Sequence, residues 1–196
     1  MKSICVFCGS RLGSKAIYRD AAASVGKLLA HQQLQVVYGG GNIGLMGVVA
    51  DTALAHGGEV IGVIPSHLQE KEVGHNGLTE IHIVSTMHER KALMADLSDA
   101  FIALPGGFGT FEEFCEILTW AQLDLHRKPC GLLNVDHFYD PLLMLFDRAV
   151  DEGFLRPEYR AMVLTATDPE ELLMRLQAYK ASPNFPPLRK EGTELV

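Results

Sequence analysis

Long apolar runs are missing from this chain. None approaches the ~20 residues that a helix needs to cross a bilayer, and the opening Met1-Lys2-Ser3-Ile4-Cys5-Val6-Phe7-Cys8 has no signal-peptide layout. These absences exclude a membrane partner and place the chain in the cytoplasm. Runs of Lys and Arg are missing too. With 17 basic against 24 acidic residues the net charge is -7, which argues against nucleic acid as a partner. Cysteine is sparse, and Cys5, Cys8, Cys115 and Cys130 fit a reducing compartment. Cys5 and Cys8 form one CxxC with no second to complete a zinc site. Their odd separation in a strand points them to opposite faces, against a redox pair. The eight histidines show no HExxH or comparable spacing, so no metal site is expected. No serine sits in a nucleophile-elbow context.

What is present is a regular alternation of strand and helix. Strands are expected over residues 4–8, 34–38, 60–64, 81–84, 101–104, 130–134 and 162–165. Helices are expected over 16–31, 45–56, 87–97, 111–123, 141–152 and 169–180. The strands are continuous apolar runs, as expected when both faces of a sheet are covered. The fold class is therefore α/β, a single-domain Rossmann-like parallel sheet with helices on both faces. It spans residues 1–181. Residues 182–196, with Pro183, Pro186 and Pro187, read as a flexible tail. Residues 65–79 read as a long polar loop, either an active-site flap or a plain connection.

Ligands in such sheets bind beyond the carboxyl ends of the strands, and three of those ends carry glycine. Pro105-Gly106-Gly107-Phe108-Gly109-Thr110-Phe111-Glu112-Glu113 joins a strand to a helix. Glycines there let backbone N–H groups approach a ligand, and the helix start favours an anion such as phosphate. Tyr38-Gly39-Gly40-Gly41-Asn42-Ile43-Gly44 matches the dinucleotide fingerprint GxGxxG. The next strand ends Val63-Ile64-Pro65-Ser66 without the acid that would hold a ribose diol, so NAD and FAD are disfavoured. A mononucleotide cradle and a plain tight turn both remain open. Cys8-Gly9-Ser10-Arg11 is the third end, where Ser10 and Arg11 can meet a phosphate or simply form a turn. Three such ends in one sheet converge on one crevice.

Two further features bear on chemistry. Thr110 and Glu113 have the spacing of a capping box, which leaves a helix cap and a catalytic carboxylate both open for Glu113. Met87-His88-Glu89-Arg90-Lys91 sets adjacent cations near a helix start, against the macrodipole, which leaves open an anionic partner and a solvated pair matched by Glu89, Asp96 or Asp99. Arg90 suits bidentate phosphate binding.

An Arg-Lys helix followed by PGGxGTxxE resembles the LOG ("Lonely guy") family, often labelled lysine decarboxylase. The resemblance runs from Cys8-Gly9-Ser10 through Tyr38-Gly39-Gly40-Gly41 to Leu132-Leu133-Asn134. It implies a Rossmann-like homodimer that hydrolyses the N-glycosidic bond of cytokinin riboside 5'-monophosphates. The products are the free base and ribose 5-phosphate; AMP is the alternative substrate, and a non-catalytic nucleotide-binding module is another reading. It implies Arg90 and Glu113 as the catalytic pair. It also implies substrate contacts from Glu72, Lys91, Gly107, Phe108, Gly109, Thr110, Phe111, Glu112 and Thr119; the other two glycine-bearing ends offer Gly40, Gly41 and Ser10 as further candidates on their own pattern. No organic cofactor is expected. A decarboxylase would need a Schiff-base lysine, and Lys91 is the one lysine in a candidate site.

Overall fold

The computed structural model describes residues 1–72 and 74–180, without the side chains of residues 70–72. The tail expected over 182–196 lies outside the described residues. The chain runs β1 (Ser3–Phe7), α1 (Ala16–His31), β2 (Gln35–Tyr38), α2 (Gly44–Ala55), β3 (Val60–Pro65), α3 (Ser66–Glu72), β4 (Glu80–Val84) and α4 (Met87–Asp96). It continues β5 (Ala100–Ala103), α5 (Phe108–Gln122), β6 (Cys130–Leu133), α6 (Asp140–Asp151), α7 (Pro157–Arg160), β7 (Val163–Ala166) and α8 (Pro169–Ala178). All strands pair in parallel in one seven-stranded sheet of order β4-β3-β2-β1-β5-β6-β7. The order reverses between β1 and β5, and a crevice opens at such a switch point.

Strand alternation divides the core into two layers. Ile4, Val6, Ala100, Ile102 and Leu104 point to one face, where they meet Val25 and Leu29 of α1, Val49 of α2 and Leu172 of α8. Cys5, Phe7, Phe101 and Ala103 point to the other, against Met94 of α4 and Phe114 and Ile117 of α5. Both faces are dry because helices cover them, which is why the central strands carry almost no polar residue. The edge strand β4 departs from this pattern. Ile81 and Ile83 are exposed there, because among the described residues no helix covers that side of the sheet's end.

Helix starts explain where the chemistry falls. The side chain of Thr86 accepts from the backbone N–H of Glu89 at 3.1 Å, and Glu89 accepts from the N–H of Ser85 at 2.8 Å. That is a capped start for α4. Asp168 caps α8 in the same way, with Pro169 in its first turn. Of the two readings left open for Thr110 and Glu113, the capping box is not formed. The N-cap of α5 is Gly107, with no side-chain bond, and the helix starts at Phe108 rather than at residue 111. The two glycines after Pro105 turn the chain tightly enough to begin the helix three residues early. Thr110 thus lies within the first turn, and the Glu113 carboxylate is spared from capping. The loop expected over 65–79 also differs, since α3 occupies its first half. Its sequence, Ser66-His67-Leu68-Gln69-Glu70-Lys71-Glu72, is too polar to show a helical period.

Candidate functional site

The ends of β1 and β5 are tied together above the sheet. The N–H of Gly9 donates to the carbonyl of Pro105 at 3.1 Å, and that of Leu104 to Phe7 at 2.9 Å. A cavity of about 360 Å³ opens beside them, lined among others by Ser10, Leu12, Tyr18, Leu45, Gly106 and Phe138. This is within the size range of small-molecule sites. Gly106 permits the close approach: a Cβ there would lie 2.1 Å from Thr110 Oγ1 and 2.9 Å from the nitrogen of Gly9. Gly107 and Gly109 have the opposite surroundings, with open space where a Cβ would be. The first turn of α5 therefore presents its unpaired backbone N–H groups and partial positive charge to an unobstructed surface, a seat for an anion.

Arg90 is the next component. The capped start of α4 puts it one residue after Glu89, pointing inward. Its side chain is only 7% exposed. Nε donates to the carbonyl of Val63 at 3.0 Å and Nη2 to that of Gly39 at 2.8 Å. Two neutral carbonyls at the ends of β3 and β2 thus hold a buried cation in a fixed orientation. A Cβ on Gly39 would sit 1.8 Å from Nη2, so this residue is glycine to make room for Arg90. The space at Gly44 is filled as well, since a Cβ there would lie 2.2 Å from the carbonyl carbon of Ser10. These contacts give Gly39 and Gly44 structural reasons to be glycine, so their match to the fingerprint calls for no dinucleotide.

Glu113 completes the constellation. Burial of the half-buried carboxyl pushes its pKa up from 4.5 to about 7. The guanidinium of Arg90 pulls the other way, followed by weaker effects of Glu112 (up), Lys91 (down) and Glu116 (up). Burial raises the thiols of Cys5 and Cys8, and the charge of Glu113 adds to the rise. Cys5 and Cys8 face opposite layers of the core, and both are free thiols. A carboxyl that titrates near neutrality, beside a fixed arginine and an anion seat, is equipped to accept and release a proton.

The remaining expected residues fall into two groups. Gly107, Phe108, Gly109, Thr110, Ser10, Gly40 and Gly41 do gather at this end of the sheet. Phe111 contributes backbone here, while its ring packs against Phe138 and Tyr139. Phe108 is 93% exposed. Lys91 and Glu112 engage each other instead: the buried ammonium bonds Glu112 and pairs with Glu116 at 2.9 Å. Burial lowers the pKa of Lys91, but the two carboxylates outweigh it and keep the lysine charged. Thr119 lies six residues beyond Glu113, about 9 Å along the helix. Its hydroxyl donates to the carbonyl of Cys115, and it lines a separate cavity with Leu118, Phe146, Phe154 and Met162. The side chain of Glu72 lies outside the described residues.

Sequence reasoning missed the seat of Arg90, formed by the carbonyls of Gly39 and Val63, because a carbonyl acceptor carries no residue-type signal. It missed Glu116, which stands one helical turn after Glu112 and was legible as an i, i+4 neighbour. One further signal was present and unread. The spacing T-x-x-E stands at the starts of both α4 and α5, as Thr86–Glu89 and Thr110–Glu113, and of these two only the first is a cap.

Comparison with known proteins shows the family of the chain. Residues 46–176, well over half the chain, match the family described as "Possible lysine decarboxylase". The chain is 52% identical over 178 residues to the cytokinin riboside 5'-monophosphate phosphoribohydrolase LOG of Oryza sativa subsp. japonica. That alignment covers 91% of this chain and 74% of the relative. It is 51% identical over 180 residues to LOG7 of Arabidopsis thaliana, which bears the same enzyme name; the cover is 91% of this chain and 82% of the relative. The X-ray structure of TM1055 shares the fold, with a TM-score of 0.70 at 22% identity over 91% of this chain and 100% of that one. The matched Arg-Lys helix, the glycine-rich start of α5 and Glu113 all fall within these alignments' span, and the chain belongs to the LOG family.

Proposed function

We propose that this protein hydrolyses the N-glycosidic bond of cytokinin riboside 5'-monophosphates, releasing the free base and ribose 5-phosphate. The observation that carries the reading is the buried Arg90 fixed on two backbone carbonyls, with the charge of Glu113, a residue of the first turns of α5, within its reach. Arg90 has neutral carbonyls as its hydrogen-bond partners, and the nearby carboxyl is held close to neutrality. The site is thus short of negative charge, which a 5'-phosphate supplies. The 50%-level identity to two named phosphoribohydrolases supports the same substrate class.

In the proposed reaction the N–H groups of the first turn of α5 hold the phosphate, and Arg90 orients the ribose phosphate and Glu113. The bond from the ribose anomeric carbon to the base nitrogen breaks, its electron pair leaves with the base, and the departing nitrogen takes up a proton from solvent water. Positive charge develops on the sugar, and the Glu113 carboxylate stabilises it. Water adds to the anomeric carbon and gives its proton to Glu113. A carboxyl titrating near 7 releases that proton again at neutral pH, whereas one at 4.5 would be a far weaker base. No organic cofactor takes part. Lys91 is held as a charged ammonium by Glu112 and Glu116, which does not suit a Schiff-base lysine, since that role needs a neutral amine.

We also infer that the working unit is a cytoplasmic homodimer. The second cavity, of about 270 Å³, is largely apolar and borders Phe154, which is 89% exposed. Met144 and Leu145 of α6 and Leu125 after α5 are exposed on the same side of the sheet. Exposed apolar area of this kind marks an association surface, and Thr119 lies within it.

Incubation with isopentenyladenosine 5'-monophosphate, AMP and the two dephosphorylated nucleosides tests the reading. Base and ribose 5-phosphate should appear in equal amounts from the phosphorylated cytokinin and not from the nucleosides. Turnover of AMP alone would replace the cytokinin reading with an AMP nucleosidase.

A further inference from the structure

The carbonyl of Gly39 that holds Arg90 belongs to a turn, Gly39-Gly40-Gly41, that has few constraints of its own. Gly40 has φ +77°, a conformation that a glycine reaches easily and leaves easily. Such a turn does not by itself fix a carbonyl. What fixes it comes from the segment between α3 and β4. Gly74 forms an antiparallel bridge with Gly41. The N–H of His75 donates to the carbonyl of Gly40 at 3.3 Å. The segment is then sewn onto β3, where Thr79 N–H donates to Val60 and Thr79 Oγ1 accepts from the N–H of Val60.

One side chain anchors this strap to a rigid element. His75 Nε2 lies 2.8 Å from Asp51 Oδ1 on α2, and the N–H of Gly77 reaches His75 Nδ1 at 3.1 Å. A backbone N–H can only donate, so Nδ1 is the acceptor and the proton sits on Nε2, which donates to Asp51. Both ring nitrogens are therefore used. The imidazole is only 11% exposed, whereas the Asp51 side chain stands largely in solvent on the helix surface. A continuous chain of contacts runs from Asp51 through His75 and the Gly40–Gly41 turn to the carbonyl of Gly39 and Nη2 of Arg90.

We propose that His75 and Asp51 are positioning residues for the reaction: they clamp the glycine turn that seats Arg90. The proposal rests on the phosphoribohydrolase reading for its kinetic consequences, while its structural part is independent of that reading. With the clamp released the Gly39 carbonyl drifts, and Arg90 loses one of its two fixed acceptors. Glu113 then loses part of the positive charge that holds its pKa down.

Three variants test this: His75→Ala, Asp51→Ala and His75→Gln, the last retaining a donor near the position of Nε2. Asp51 is a surface residue, so its variant retains the fold even if His75→Ala does not. Two measurements are made on each. One is solvent exchange of the Arg90 Nε–H proton by NMR, which needs no substrate. The other is kcat and its pH midpoint with isopentenyladenosine 5'-monophosphate. In the alanine variants the Arg90 proton should exchange roughly tenfold faster, and kcat should fall roughly ten- to hundredfold. The pH midpoint should move upward, and His75→Gln should restore most of each change. Wild-type exchange and an unmoved midpoint in folded Asp51→Ala and His75→Ala proteins overturn the proposal. So does a lowered melting temperature as the only change, since that is a merely structural role. If the wild type turns over no nucleotide, the functional reading fails, and the exchange data still decide whether the clamp holds Arg90.

Discussion

Glu113 is where the physics of single residues is most exposed to test. Its carboxyl is raised from 4.5 to about 7 because burial penalises the charged form more than Arg90 rewards it. As the ionised form is the base, kcat should rise with pH through a midpoint near 7, and the bound phosphate should push that midpoint further up. Stability should move in the other direction. Between pH 4.5 and about 7 the folded state binds a proton that the unfolded state has lost, so the fold loses stability as pH rises through this window. Urea denaturation at pH 5 and pH 8 should therefore show wild type losing ground to Glu113→Gln at the higher pH. An unchanged difference between the two proteins would mean that Glu113 is not buried as described. Gly39 offers a second test. Alanine there would place Cβ 1.8 Å from Nη2 of Arg90, so Gly39→Ala should displace the arginine. We expect a loss of roughly a hundredfold in kcat, measured alongside circular dichroism to show the fold intact. Arg90 and Glu113 could be proposed as a pair from the sequence, but the reason for Gly39 was not legible there. A glycine-rich turn reads as room for a ligand, and here an arginine side chain from a distant helix takes that room.

Among elements, the starts of α4 and α5 show how local chemistry divides structure from function. Both carry T-x-x-E. At α4 the threonine and glutamate satisfy backbone donors, and Thr86→Ala should destabilise the protein by about 1 kcal/mol, seen as a lower denaturation midpoint. At α5 glycine serves as the N-cap, so Glu113 is free for chemistry and its replacement costs no cap. Gly106 is the element's hinge point. Gly106→Ala would collide with Thr110 and with the backbone of Gly9, moving the first turn of α5 away from β1. It should weaken nucleotide binding more than it weakens the fold, which isothermal titration against AMP would show; unchanged affinity would place the phosphate elsewhere. Strands β1, β2, β3, β5 and β6 were readable to within a residue or two because dry strands leave continuous apolar runs. Short polar α3 and α7 left no comparable trace, since their stability comes from packing and not from a periodic face.

For the whole molecule, the strand order explains why three distant glycine-bearing segments serve one site. Placing β1 beside β5 and β2 beyond β1 brings the ends of all three to one edge of the sheet. The alternation of strand and helix made the architecture readable from sequence, but not the surface around α6. That helix buries no residue fully, and Met144 and Leu145 stand exposed. An apolar stripe reads the same in sequence whether it faces a core or a second copy. If the face forms the homodimer, Leu145→Glu should convert the protein to a monomer in multi-angle light scattering, and a Leu145→Glu protein that remains dimeric would place the interface elsewhere. The central claim rests on chemistry at one bond, and one experiment reaches it directly. Wild type and Glu113→Gln are incubated with isopentenyladenosine 5'-monophosphate, and free base and ribose 5-phosphate are quantified by chromatography. Equal release of both products by wild type, with none from the folded variant, is the predicted result. Base release by folded Glu113→Gln at the wild-type rate would contradict it.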